Sequence, residues 1–152
     1  GFGLPAAIGA KLGMPGREVV AILGDGGFQM TIQEVGTIKQ EQLGLKIVVL
    51  NNSYLGMVRQ WQNLFYGQRY SATVLNDAVD FVKLAEAMGA EGVRVATQEE
   101  FKEAFANALK SGHPVVIDCQ IDSDDKVWPM VAPGAPINEA FDEKDLEAKN
   151  AE

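Results

Sequence analysis

The chain has 152 residues, of which 47% are hydrophobic and 22% charged, and it carries a formal net charge of -8. These values are ordinary for one globular domain, and an acidic chain without a basic run is a poor match for a nucleic-acid backbone. No stretch approaches the roughly 20 apolar residues that cross a membrane, and no signal peptide is visible. Cys119 has no second cysteine with which to form a disulfide. We therefore expect a cytoplasmic protein without nucleic-acid or membrane partners.

The opening residues predict a tightly packed helix. Gly1-Phe2-Gly3-Leu4-Pro5 leads into the small-residue stretch 6–12, and Pro5 stands where the first turn of a helix tolerates proline. Because the chain begins directly on this helix and without methionine, we expect it to be a fragment of a longer polypeptide.

An apolar run at 19–23 predicts a strand, which we expect to be central in its sheet and covered on both faces. It ends at Gly24-Asp25-Gly26-Gly27. Asp25-Gly26 is also a common hairpin turn. The residues that follow do not alternate, however, and Thr31-Ile32-Gln33-Glu34 matches a capping box that starts a helix. This pattern favours a turn at the carboxyl end of a parallel strand.

A second apolar run, at 45–50, predicts a strand that ends at Asn51-Asn52. Two strands joined by a helix form a parallel pair, and their carboxyl ends line one crevice. Asp25 and Asn52 are therefore expected to face each other there. Their hard oxygens suit Mg²⁺ or Ca²⁺, and the neighbouring glycines let a bulky anion approach the backbone. The pattern predicts a magnesium-diphosphate site.

The segment 55–66 is predicted to be a helix with an unusually wide apolar surface. Its large side chains cover an arc of roughly 200°, about twice the stripe that covering a sheet requires. One edge, assigned to the core, consists of Leu55, Val58 and Phe65. The other edge consists of Met57, Trp61 and Leu64. Either a ligand, another domain or another subunit covers this second edge, or another part of the same domain does, and periodicity leaves both open.

Gly56 lies in the first turn of this helix, beside the predicted metal site. A glycine there costs about 1 kcal/mol relative to alanine, so some neighbour should require the absence of a side chain. Close approach of a ligand is one such reason.

The remaining segments complete an alternating pattern. Helices are predicted at 81–88 and 101–109, and strands around Val93 and at 115–121, with His113 in a loop and without a catalytic role. The order β-α-β-α-α-β-α-β predicts an α/β fold with a doubly wound, mostly parallel sheet flanked by helices. We assign residues 1–137 to this domain and 138–152 to a charged C-terminal tail.

Two motifs carry a family resemblance. Gly24-Asp25-Gly26 and Asn51-Asn52 are separated by 24 residues, which resembles the signature of thiamine diphosphate-dependent enzymes. Within that superfamily the chain most resembles the catalytic subunit of acetolactate synthase (acetohydroxyacid synthase). This narrower resemblance rests on Met57-Val58-Arg59-Gln60-Trp61-Gln62, on residues 1–10 and on residues 129–135.

The resemblance implies a thiamine diphosphate-binding fold, of which this chain is the pyrophosphate-binding domain, and it implies roles for individual residues. Asp25, the side-chain oxygen of Asn52 and the backbone carbonyl of Tyr54 would ligate Mg²⁺. Met57 would approach the thiamine and the substrate pocket, and Trp61 would line the mouth of that pocket. The complete expected cofactor-binding set is Gly24, Asp25, Gly26, Gly27, Asn52, Tyr54, Gly56 and Met57.

The resemblance also implies an activity, in which two pyruvates, or pyruvate and 2-oxobutyrate, condense to 2-acetolactate or 2-aceto-2-hydroxybutyrate with loss of CO₂ in branched-chain amino acid biosynthesis. The family's activating glutamate and most of its FAD site lie outside this segment, so we expect no catalytic residue here and no activity from the chain alone. The implied partners are the rest of the catalytic subunit and a second copy, in a dimer or higher oligomer. The sequence leaves open whether a regulatory small subunit also binds.

Two alternatives remain. The first is another thiamine diphosphate enzyme, such as a pyruvate oxidase, a 2-oxo acid decarboxylase or another carboligase. The second is a non-catalytic phosphate-binding α/β module in which Asp25 only caps a turn.

Overall fold

The computed structural model describes residues 1–75 and 79–150, the last four of these by their backbone alone. It contains one four-stranded sheet, formed by β1 (Val20–Gly24), β2 (Lys46–Asn51), β3 (Glu91–Val95) and β4 (Val115–Gln120). The strand order is β1-β2-β4-β3, and every neighbouring pair is parallel. The predicted α/β fold with a parallel sheet is confirmed.

Helices connect the strands and cover the sheet. Within the described ranges they are α1 (Gly3–Gly13), α2 (Asp25–Gln29), α3 (Glu34–Gln40), α4 (Gly56–Phe65), α5 (Phe81–Ala87), α6 (Gln98–Lys110) and α7 (Glu143–Asn150), with a short 3₁₀ turn at Ile137–Glu139. The predicted alternation of strands and helices is confirmed, and the single helix expected after β1 is divided into α2 and α3. None of the helices described is both long and apolar enough to cross a membrane.

Two apolar cores lie on opposite faces of the sheet because successive strand residues point to opposite sides. Helices α1, α2, α3 and α5 contribute to the larger core, which includes Leu4, Phe28, Ile38, Ile47, Val49, Phe81 and Val116. Helix α6 packs over the smaller core, which includes Val48, Val95, Ala108, Ile117 and Cys119. Helices on both faces are the arrangement expected of a doubly wound sheet.

The prediction that the first strand is central and covered on both faces is wrong. β1 forms one edge of the sheet, and its side chains alternate between the larger core and solvent. Ala21 is buried, whereas Ile22 is 67% exposed. Helix α6 packs on β3 and β4 and leaves this side of β1 open. A continuous apolar run therefore indicated an apolar strand correctly but could not indicate what lies over each face.

The predicted capping box at 31–34 is also wrong. Helix α3 begins at Glu34 after Gln33, whose side chain makes no capping bond, and the Thr31 hydroxyl donates to the Gly1 carbonyl instead. Gln33 already has helical φ and ψ, whereas an N-cap residue is extended. The same Thr-x-x-Glu pattern does form a capping box at Thr97–Glu100, where Thr97 is extended at the start of α6.

The C-terminal segment returns to the domain. Met130 and Phe141 form an antiparallel bridge with two hydrogen bonds of 2.8 Å. The rings of Trp128 and Phe65 both pack edge-on against that of Phe141, with centroid distances of 6.0 and 6.3 Å. Residues on both sides of position 137 therefore contact each other, and the proposed division of the chain there stays a prediction.

Candidate functional site

Asp25 stands at the carboxyl edge of the sheet, as the first residue of α2 directly after β1. It is 2% exposed. One carboxylate oxygen, Oδ1, accepts a hydrogen bond of 2.8 Å from the Gly26 amide. The other, Oδ2, is buried and finds no hydrogen-bond partner among the described residues. Because an uncompensated buried carboxylate is costly, this oxygen calls for a partner beyond those that the described residues supply.

The electrostatics of Asp25 lead to the same conclusion. Burial raises the pKa of Asp25 above its ordinary value, and the carboxylate of Asp118 raises it further. The backbone amides of Gly26 and Ser53 lower this pKa but do not reverse the shift. A divalent cation would favour the ionised form, because its own charge dominates such a site.

The loop after β2 turns back towards Asp25. Ser53 is left-handed, with φ of 61°. The side-chain oxygen of Asn51 accepts from the Ser53 amide at 3.2 Å, and that of Asn52 accepts from the Tyr54 amide at 3.1 Å. Asparagine side chains that bond two residues ahead stabilise tight turns of this kind. The paired asparagines thus give the loop its shape.

A small cavity of about 10 Å³ lies beside the Asp25 carboxylate. Asn51 and Ser53 line it together with Asp25, Gln29, Leu75, Val79 and Phe81. A space of this size holds about one water-sized particle. The carboxyl ends of β1 and β2 therefore converge as expected, since Gly24 is also in register with Leu50.

Asn52 does not line this cavity. Its side-chain nitrogen lies 3.0 Å from the point where a Cβ on Gly56 would stand, at the start of α4. The structure thus brings Asp25 together with Asn51 and Ser53, and it places Asn52 against Gly56. The convergence of Asp25 and Asn52 on one cation stays a prediction.

The surroundings of the glycines near Asp25 and in α4 differ in what a side chain at each position would meet. A Cβ on Gly26 would meet the end of the Leu55 side chain at 2.6 Å, so any larger residue there would displace Leu55. Gly24 and Gly27 face open space, where a ligand could approach the backbone. Gly56 was expected to make room for a ligand, and the neighbour that the structure provides is the Asn52 amide.

Helix α4 lines a large open groove. The groove has a volume of about 610 Å³ and is lined by Met57, Val58, Trp61, Gln62, Tyr66 and Arg69. The expectation that Val58 serves the core is wrong, since it is 48% exposed, whereas Gln60 is 3% exposed. Val127 pairs with both ends of the Gln60 amide, which explains how a polar residue occupies the buried side. Met57 is also 48% exposed, whereas Trp61 and Leu64 are partly buried, so the second apolar edge is only partly covered within the described residues.

Arg59 is a residue of this region that sequence reasoning missed. Its guanidinium lies over the ring of Tyr54 at 4.5 Å and over that of Tyr70 at 4.3 Å, and it pairs with Asp124 at 2.8 Å. It thereby joins α4 to the loop after β2 and to the segment after β4. Apolar periodicity carries no signal for these contacts, because they join a charged side chain to two rings and a carboxylate that lie outside the helix.

Comparisons with known proteins agree with this geometry. Residues 1–119 match the family described as "Thiamine pyrophosphate enzyme, C-terminal TPP binding domain". The acetolactate synthase isozyme 2 large subunit of Escherichia coli K12 is 48% identical over 142 residues, which cover 93% of this chain and 26% of that relative. The acetolactate synthase large subunit of Porphyra purpurea is 47% identical over 135 residues, covering 88% of this chain and 23% of that relative.

A solved structure shows the same fold. The thiamine diphosphate-dependent 4-hydroxybenzoylformate decarboxylase of Rhodococcus jostii RHA1 superposes with a TM-score of 0.76 and 34% identity over 82% of this chain and 24% of that one. The chain thus spans about a quarter of the length of these relatives. Since the family model matches residues 1–119, the chain belongs to the C-terminal TPP-binding domains of thiamine pyrophosphate enzymes.

Proposed function

We propose that this chain binds the diphosphate of thiamine diphosphate through Mg²⁺ at Asp25, as the cofactor-binding part of an acetolactate synthase catalytic subunit. The observation that carries this proposal is the buried Asp25 Oδ2, which no group in residues 1–75 and 79–150 satisfies. A hard carboxylate oxygen without a partner, next to a cavity of atomic size, fits a Mg²⁺ ligand. The net charge of -8 supports a cation as well, because a diphosphate would otherwise meet an acidic protein.

The proposed ligands are the Asp25 carboxylate, the side-chain oxygen of Asn52 and the backbone carbonyl of Tyr54. The Asn52 oxygen already accepts from the Tyr54 amide, but a carbonyl oxygen has a second lone pair for a cation. The backbone at Gly26 and Gly27 would lie against the diphosphate, with Gly24 beside it. Of these glycines, Gly24 and Gly27 have open space where a side chain would otherwise stand.

The groove along α4 is proposed as the substrate side of the site. When bound, the cofactor supplies the carbon nucleophile and the electron sink that decarboxylation of a 2-oxo acid requires. Met57 and Trp61 offer an apolar wall that would orient a small 2-oxo acid and exclude water. The side chains that line the groove, as far as the structure describes it, include no carboxylate, imidazole or thiol, which supports the proposal that cofactor activation depends on a glutamate elsewhere.

Relatives favour a carboligase over a decarboxylase. The acetolactate synthases are 47–48% identical to this chain, against 34% for the 4-hydroxybenzoylformate decarboxylase. We therefore propose pyruvate as the donor, with pyruvate or 2-oxobutyrate as acceptor, in branched-chain amino acid biosynthesis in the cytoplasm. The rest of the subunit would hold most of the FAD, and a second copy would complete the assembly.

Calorimetric titration of thiamine diphosphate into the complete subunit tests the metal site. Binding is expected with Mg²⁺ and not after chelation, and Asp25→Asn should abolish it. Asp125→Asn, which changes an exposed aspartate, is the matched control. Binding that persists unchanged after chelation would instead indicate a phosphate-binding module without a catalytic metal.

A product assay tests the reaction. The complete subunit is expected to form acetolactate from pyruvate, whereas acetaldehyde or acetyl phosphate would indicate a decarboxylase or an oxidase. The 152-residue chain alone is expected to form no product. Acetolactate formed by that chain would overturn the proposed dependence on the remainder of the subunit.

A further inference from the structure

Asp118 is a fully buried carboxylate in the middle of the apolar strand β4. A charge in such a position is costly unless it is paired and hydrogen-bonded, and apolar residues often stabilise a core better. The fold alone therefore gives no reason for an aspartate here. Its hydrogen-bond partners show what it holds.

Three side chains donate to Asp118. Its Oδ1 accepts from Asn51 Nδ2 and from Gln120 Nε2, both at 2.9 Å. Its Oδ2 accepts from Arg94 Nε at 2.9 Å, and the same guanidinium also donates to Asp80 at 2.9 Å. Both oxygens of the carboxylate are thus hydrogen-bonded, and one of its three donors belongs to the paired asparagines.

Asp118 decides the orientation of the Asn51 side chain. A carboxylate only accepts hydrogen bonds, so the amide nitrogen of Asn51 must face it and the amide oxygen must face away. That oxygen accepts from the Ser53 amide at 3.2 Å. Asp118 therefore stabilises, through Asn51, the left-handed turn at Ser53.

This turn lies beside Asp25. Asn51 and Ser53 both line the cavity next to its carboxylate. We propose that Asp118 is a positioning residue of the cofactor site, which acts through Asn51 to hold residues 51–54 of the loop beside Asp25. The inference rests on the proposed function, because that loop would supply the metal ligands Asn52 and Tyr54.

The substitution Asp118→Asn has a defined consequence. An amide has one acceptor oxygen, and if that oxygen stays with Arg94, the new NH₂ group faces Asn51. The Asn51 amide must then flip to accept from it, which turns its own nitrogen towards the Ser53 amide. Two donors face each other there, and the loop opens.

Exchanging the asparagine at 51 and the aspartate at 118 should restore the hydrogen-bond pattern. In Asn51→Asp combined with Asp118→Asn, the carboxylate at 51 accepts from both the amide at 118 and the Ser53 N–H. Asn51→Asp alone places two carboxylates against each other. A double-mutant cycle over these positions therefore separates a specific hydrogen bond from general disturbance of the core.

The test measures the dissociation constant of thiamine diphosphate with Mg²⁺ in the complete subunit. Each single substitution should weaken binding about tenfold, as substitutions behind metal ligands do, and the double variant should return to within about threefold of the wild type. Gln120→Met, which removes a hydrogen bond to the same oxygen without touching the loop, should change binding less than twofold. Unchanged binding in Asp118→Asn, or a double variant no better than the weaker single one, would overturn the proposal.

Hydrogen–deuterium exchange of the cofactor-free subunit gives a second readout that is independent of binding. In Asp118→Asn the Ser53 amide should exchange faster, whereas the Leu55 amide, held by the Thr73 carbonyl at 2.8 Å, should not. Equal acceleration of both amides would mean general loosening and would contradict a positioning role. If the wild type fails to bind the cofactor but the Ser53 amide still exchanges faster in Asp118→Asn, the proposed function fails and the positioning of the loop stands.

Asn51→Ala covers the case in which Asp118→Asn does not fold. It removes the link to the loop and leaves the bonds from Arg94 and Gln120 to Asp118 in place. We expect the same tenfold weakening of cofactor binding and the same faster hydrogen–deuterium exchange of the Ser53 amide. Wild-type values for both would refute the inference.

Discussion

The side-chain amide of Gln60 pairs with both main-chain polar atoms of Val127. Its nitrogen donates to the Val127 carbonyl and its oxygen accepts from the Val127 amide, each at 2.9 Å. Gln60 is the buried residue of α4, and the next residue, Trp61, lines the groove. This pair therefore fixes the segment after β4 to the helix that carries the proposed substrate wall.

We predict that Gln60→Leu destabilises the protein by about 1–3 kcal/mol, because it removes two hydrogen bonds made by a buried amide and leaves both main-chain polar atoms of Val127 facing an apolar side chain. Urea unfolding would measure the free energy of unfolding. Limited proteolysis should also cut the segment around Val127 faster in this variant.

Gln62→Leu is the matched control. Gln62 makes the same two-bond pair with the main chain of Ser71, at 3.0 and 3.2 Å, but on the surface. Water can replace these bonds, so the expected loss is about 0.5 kcal/mol. Equal losses in the two variants would contradict the importance of burial at Gln60.

Gly56→Ala is predicted to separate binding from stability. The new Cβ would approach the Asn52 side-chain nitrogen to 3.0 Å, and the amide must shift. We expect weaker Mg²⁺-dependent binding of thiamine diphosphate, by about tenfold, since Asn52 is a proposed ligand. The free energy of unfolding should fall little, because alanine is the better helix former by about 1 kcal/mol. Calorimetry and urea unfolding measure the two quantities.

The control for this change is Gly9→Ala in α1, where a Cβ meets nothing within 4 Å. It should stabilise the protein by up to about 1 kcal/mol and leave cofactor binding unchanged. If Gly56→Ala behaves like Gly9→Ala, Asn52 does not depend on the space that Gly56 provides.

The sequence predicted what local patterns encode. The apolar runs before Asp25 and Asn51 predicted two parallel strands, and the glycine-flanked acid was correctly expected at their carboxyl ends, where a small cavity lies beside it. The contacts that depend on strand order were not predictable in this way. Asp118 meets Asn51 and Arg94 only because β4 lies between β2 and β3.

Residues with misleading polarity account for two of the errors. Gln60 looks like a surface residue but is buried because Val127 satisfies its amide, and this places Val58 on the exposed side of α4. Ile22 looks like a core residue but lies on an edge strand. Hydrophobicity reports how well a side chain tolerates burial, whereas the position of neighbouring elements decides whether burial occurs.

The pH dependence of stability should reveal the contribution of the ionised Asp80 side chain, which is the N-cap of α5. The Lys83 backbone amide, and then Arg94, hold the pKa of Asp80 below its ordinary value. The ionised form is thus favoured by folding, so its contribution is complete above the unfolded pKa of about 3.9 and is lost as the pH falls through the lower folded pKa. Asp80→Asn, which keeps a capping oxygen, should be less stable than the wild type at pH 7, and this gap should close below about pH 4.

Midpoints of thermal unfolding between pH 7 and pH 3 measure this gap. Glu99→Gln is the control, because it removes an exposed carboxylate whose ionic partner, Lys102, lies 3.9 Å away. Its difference from the wild type should stay small across the range. A gap for Asp80→Asn that is as large at pH 3 as at pH 7 would show that its charge does not stabilise the fold.

Asp25→Asn is predicted to change stability and cofactor binding in opposite directions. Without metal, the wild type contains a buried carboxylate oxygen that the described residues leave unsatisfied, so removing the charge should stabilise the metal-free subunit by about 1 kcal/mol. With Mg²⁺ and thiamine diphosphate, the wild type should gain stability by mass action, whereas the variant should gain none. Thermal unfolding with and without both ligands measures the two effects, and Asp125→Asn should change neither. A metal-free variant less stable than the wild type would mean that the fold itself requires this carboxylate, which would remove the reason to assign it to a cation.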